Sequence, residues 1–62
     1  MKKKEIKERV AELDANVKSY LDIMQKAIIE EDFHLVSDSA NDIREFVREK
    51  ETLEIFLKKP TL

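Results

Sequence analysis

A chain of 62 residues with 12 basic and 14 acidic side chains carries a net charge of −2, too balanced for a dedicated nucleic-acid binder and long enough for one small domain only. With no cysteine and a single histidine, disulfides are excluded and a zinc site is not expected. The longest apolar runs, Ala27–Ile29 and Ile55–Leu57, are far short of a membrane span.

A domain of this size buries a modest share of its surface and usually needs a staple. With disulfides and zinc set aside, a partner subunit is the staple left. The opening run "MKKKEIKERV" is basic but has no apolar core, so it does not read as a secretory signal. A cytoplasmic protein without a cofactor is the expectation. Glycine is absent and the one proline, Pro60, comes late. Nearly every strong turn signal is therefore missing, and an all-α chain is predicted.

The first element is marked by Ile6, Val10, Leu13, Val17, Tyr20, Met24 and Ala27, spaced alternately by four and three. This is the a/d stripe of packed helices. It predicts a helix over about 3–31, about 40 Å long at 1.5 Å per residue. Leu21 and Ile28 widen the stripe on one side and Ile23 on the other.

The register breaks at Glu30–Asp32. Asp32 suits an N-cap, with its carboxylate accepting from a free N–H one turn ahead. Phe33 follows directly, and its ring is expected to close the corner, residues 30–33, over Ala27 or Ile28. A second helix over about 33–58 is marked by Phe33, Val36, Ala40, Ile43 and Val47, with Phe46 beside the last. The next position on that stripe is Lys50, after which Leu53, Phe56 and Leu57 resume it. Either the seam changes face there, or the lysine stem crosses the edge of the core with its ammonium in water. Lys58 and Lys59 favour the negative end of the helix dipole, and Pro60 sets the stop. The connection is short, so the two helices must run antiparallel as a hairpin.

The span "LDIMQKAIIEEDFHLVSDSANDIR", Leu21 to Arg44, resembles the UVR motif of excinuclease subunits B and C, of some Clp-type ATPases and of protein-arginine kinase activators. The matching places are Met24, Ala27, Asp32, Phe33, Ile43 and Arg44, in order and without a gap. Departures are Ile28 for a second alanine, Val36-Ser37 for an alanine pair, and Asn41 for an aspartate. The resemblance covers less than half the chain. It implies a helical hairpin that self-associates or docks on a similar hairpin, and it does not imply DNA repair.

Three polar patterns invite a chemical reading. Glu31 and His34 have the i,i+3 spacing of carboxylate-bridged di-metal bundles, but they fall at the corner and off the apolar stripe. Asp38, Asp42, Glu45 and Glu49 recur along the second helix, with no nucleophile or second histidine beside them. A solvated face balanced by Arg44 and Arg48 explains them more simply. Lastly, Lys2, Lys3, Lys4, Lys7, Lys58 and Lys59 gather at the open end, and Glu30, Glu31, Asp32 and Asp38 at the corner. Each hairpin thereby gains a basic and an acidic end.

One seam between two helices leaves Leu21, Ile23, Ile28 and Phe46 or Phe56 uncovered. Burial of such a side chain contributes roughly 1.5–3 kcal/mol, so a homodimeric four-helix bundle is expected. Val10, Leu13, Val17, Tyr20, Met24, Ile43 and Val47 are the expected self-association residues. Ile29, Asp32 and Phe33 are the expected docking residues for a second protein. The predicted function is a non-enzymatic regulatory or adaptor role in protein–protein interaction, with no catalytic, metal or small-molecule site. The alternative is a Rop-like dimeric RNA- or DNA-binding regulator, by architecture alone. It needs a basic face, whereas Lys7, Arg9, Lys18 and Lys26 are interleaved with acids.

Overall fold

The computed structural model describes residues 2–58. It consists of two helices, α1 (Lys3–Ile29) and α2 (Phe33–Lys58), packed along their length as an antiparallel hairpin. The molecule is a thin rod, 51 by 14 by 13 Å between Cα atoms. The expected stop at Lys59 and Pro60 lies outside the described residues.

On α1 the seam follows the sequence stripe. Ile6, Leu13 and Ala27 are buried, while Val10, Val17, Tyr20 and Met24 are half-buried. In heptad lettering Ile6, Leu13, Tyr20 and Ala27 take position d, and Val10, Val17 and Met24 take position a.

On α2 the seam is displaced by one residue from the stripe of apolar side chains. Ser39 is buried and Phe46 half-buried, whereas Ala40 and Val47, the expected positions, are exposed. Beside the half-buried flanking Glu54, the half-buried and buried set along the seam is Val36, Ser39, Ile43, Phe46, Lys50, Leu53 and Leu57. Its spacing alternates three and four from corner to open end, so the seam never changes face. Val36, Ile43, Lys50 and Leu57 are a; Ser39, Phe46 and Leu53 are d. Tyr20 and Phe46 meet edge to face with ring centroids 5.2 Å apart, a favoured aromatic geometry. Toward the corner the buried side chains are small, Ala27 and Ser39, so the backbones can approach closely there.

The corner is built from backbone chemistry. Glu31 N–H donates to Ile28 C=O at 3.1 Å and Asp32 N–H donates to Ala27 C=O at 2.8 Å. This nested pair is the Schellman arrangement that satisfies the last carbonyls of a helix. It requires a left-handed residue, and Glu31 supplies it with φ of 57°, the position glycine ordinarily takes. That reversal ends α1 at Ile29, two residues before the sequence-predicted limit. Asp32 then opens α2: its Oδ1 accepts from the Leu35 N–H at 3.2 Å, and its C=O accepts from Val36 N–H at 3.0 Å. The N-cap role expected of Asp32 is the one observed.

Phe33 behaves otherwise. It was expected to cover Ala27 or Ile28, yet it is 67% exposed. As the first residue of α2 it falls at position e, beside the seam, whose first member is Val36. The buried Ala27 needs no aromatic lid because the closely packed helices already cover it.

Candidate protein-interaction face

The two flanks of the seam are not equivalent. All four buried residues of the described chain, Ile6, Leu13, Ala27 and Ser39, are at position d. The a residues from Val10 to Leu57 are half-buried, and Lys3 at the open end is exposed. Position g flanks d, and position e flanks a. The d/g side also exposes apolar side chains, Ile23 at 41%, Leu35 at 39% and Phe56 at 57%, but these g residues are interrupted by Asn16, Glu30, Asp42 and Glu49. The a/e side, the open flank, is the one on which half-buried a residues border an uninterrupted apolar row.

A fork of charge closes the d/g side near the open end. Arg9 donates from Nε to Glu49 Oε2 at 2.7 Å and from Nη2 to Glu49 Oε1 at 3.2 Å. Its Nη1 also reaches Glu12 Oε1 at 3.3 Å. Arg9 and Glu49 are both g residues, so the bond spans the two helices. A two-pronged guanidinium–carboxylate pair of this kind fixes geometry as well as charge. Chiefly through that hydrogen bond, the Arg9 guanidinium holds the Glu49 carboxyl below the ordinary glutamate range, and Glu49 raises Arg9 in turn.

The a/e side carries a different sequence of side chains. Its e positions are Lys7, Asp14, Leu21 and Ile28 on α1, and Phe33, Ala40, Val47 and Glu54 on α2. Antiparallel packing sets Leu21 level with Val47 and Ile28 level with Ala40. The half of this face next to the corner is thus wholly apolar, and the half next to the open end is charged. Leu21 is 38%, Ile28 50% and Val47 37% exposed. At the boundary Lys50 Nζ lies 2.7 Å from Asp14 Oδ1, and this hydrogen bond is the main cause that raises the lysine above its ordinary range.

The expected self-association residues divide across this geometry. Val10, Val17, Met24 and Ile43 are half-buried a residues bordering the open face, and Val47 is an e residue on it. Leu13 and Tyr20 are d residues; Leu13 has no exposed surface and belongs to the hairpin's own core. Leu21 and Ile28, read from sequence only as a widening of the stripe, are central to the face. Their e spacing of seven was the available signal.

Of the expected docking residues, Ile29 is 81% exposed on the outer surface of α1 beside the corner, and Phe33 stands on the a/e face. Asp32 has its carboxylate occupied in the helix cap. Glu31 and His34 are both exposed. Among the described residues no group of three or more His, Asp or Glu side chains is placed to hold a metal ion. No helix among them is long and apolar enough to cross a membrane. Asn41, Arg44, Glu45 and Arg48 line a shallow surface hollow on the outside of α2. Lys7, Arg9, Lys18 and Lys26 occupy positions e, g, b and c, so they do not form one basic stripe.

No protein-family model, no curated protein and no solved structure matches this chain.

Proposed function

We propose that this protein is a non-enzymatic helical hairpin that works by self-association, pairing through its open a/e flank into a four-helix bundle, in an adaptor or regulatory role. One observation carries the reading: among the described residues every buried one lies on the d side, while the half-open a residues border an uninterrupted row of exposed e residues, Leu21, Ile28, Phe33 and Val47. An apolar row of that length on one side of a rod is the composition of an interface core. The resemblance of Leu21–Arg44 to a docking hairpin points the same way.

The test is a pair of charge insertions compared by sedimentation. Leu21→Asp, on the flank, is expected to yield monomers. Ile55→Asp, at a more exposed apolar site on the far side of α2, is expected to leave the wild-type assembly intact. A wild-type chain that sediments as a folded monomer would contradict the proposal, as would an assembly that Leu21→Asp leaves unchanged.

A further inference from the structure

Resting on the self-association just proposed, we infer that the second copy seats with its corner beside the first copy's corner, related by a twofold axis along the hairpin. The occupant of the a/e face is thus a second molecule of this chain in one stated orientation. The order of e residues from open end to corner selects it.

Two hairpins can stack face to face by a twofold axis in only two ways. An axis across the rod puts each corner over the partner's open end. Leu21, Ile28 and Val47 are then laid against Lys7, Asp14, Lys50 and Glu54, and half-buried charges are covered by apolar side chains. Burying charges without matched partners is costly. Sliding the copies until only the apolar halves overlap avoids this mismatch but gives up about half the contact. The whole face, 51 by 14 Å between Cα atoms, is comparable with the roughly 800 Å² per partner of a stable interface. Half of it falls into the range of weak contacts.

An axis along the rod has neither defect. It places α1 over the partner's α2 at every level, so Leu21 meets the partner's Val47 and Ile28 meets the partner's Ala40. At the boundary, Asp14 meets the partner's Lys50 while staying bonded to its own Lys50. The four groups alternate in sign around a square. Lys18 and Glu51, both b residues on the margin of the face, also come level across the interface with opposite charge. In the register that pairs Leu21 with Val47, Asp14 also comes level with the partner's Glu54, and this like-charged approach is offset by the Lys50 bonded to Asp14. The ends oppose the pairing too: the acidic corners, Glu30, Glu31 and Asp32 from each copy, come together, as do Lys2, Lys3 and Lys4 of the two open ends. These groups are exposed, and their repulsion is screened over about 8 Å at physiological salt.

Because the chain has no cysteine, single nitroxide labels can be placed at Lys4→Cys and His34→Cys, both exposed, and distances between copies read by pulsed electron spin resonance. Corner-beside-corner pairing predicts that both distances fall within about 30 Å, given helix spacings of 8–10 Å and the label arms. Pairing across the rod predicts about 40 Å or more at both sites, and the slid version about 60 Å at Lys4 alone, from 1.5 Å rise per residue. Either long distance would overturn the orientation while leaving self-association standing. Absence of any distance between copies would overturn the orientation and self-association together.

Discussion

Lys50 and Asp14 join the two helices at the level where the open flank turns from charged to apolar, with Nζ and Oδ1 2.7 Å apart. Lys50 occupies a seam position, so its stem is packed and only its head is solvated. A half-exposed ion pair contributes little net stability, whereas a leucine at the same a position continues the apolar seam. Lys50→Leu is therefore expected to raise the melting temperature and to broaden the distribution of oligomers, because a polar a residue restricts the packings available. Calorimetry together with multi-angle light scattering checks both parts. A lower melting temperature would mean that the ion pair outweighs the seam.

The two interhelical ion pairs set a pH window. Arg9 lowers Glu49 below its ordinary value, so this contribution is full above the unfolded glutamate range of about 4.3 and is lost as pH falls through the folded value. Lys50 is raised, so its contribution is full below about 10.4 and is lost as pH rises through the folded value. The melting temperature should be flat between these limits and fall on both sides. Glu49→Gln is expected to shallow the acid limb only. An acid limb unchanged by Glu49→Gln would disconnect the Arg9 fork from stability.

At the corner, two neighbouring residues should respond in opposite directions. Glu31 holds a left-handed conformation that costs a side-chain-bearing residue about 1–2 kcal/mol. Allowing for the extra freedom of glycine in the unfolded chain, Glu31→Gly should stabilise by roughly 0.5–1 kcal/mol. Asp32→Ala removes the cap and should cost about 0.5–2 kcal/mol, while Asp32→Asn should be close to neutral. Urea unfolding of the three variants suffices, and a destabilised Glu31→Gly would refute the strain.

Phe33 separates stability from recognition. With its ring largely in water, Phe33→Ala should weaken association between chains and lower the melting temperature most at low protein concentration. Ile29→Ala, on the outer surface, should leave self-association unchanged. Capture of tagged by untagged chain, with circular dichroism on each variant, gives both readouts. Full-strength capture together with a melting temperature lowered equally at every concentration would show that the ring supports the hairpin itself.

The α1 seam was legible residue by residue, because Ile6 to Ala27 are apolar at every a and d position. The α2 seam was legible only in period. Apolarity pointed to Ala40 and Val47, but the seam takes Ser39, which is small enough for close helix approach though no smaller than alanine, Phe46, whose ring pairs with Tyr20, and Lys50, which contributes its stem. These three are chosen by packing, which a hydrophobicity pattern does not encode. The Asp32 cap was legible from residue type, while the left-handed turn at Glu31 was not, since no glycine marks it. Which flank stays open was hidden for a related reason. Leu21, Ile23 and Ile28 widen the stripe on both sides, and only the burial of d over a distinguishes the two.

The claim that a second chain completes this core is tested most directly by melting the wild-type protein across a wide concentration range. If folding and pairing are coupled, mass action stabilises the dimer, and the melting temperature should climb steadily with protein concentration from low micromolar upward. A cooperative melt at one fixed temperature, with a monomer mass throughout the range, would contradict the account.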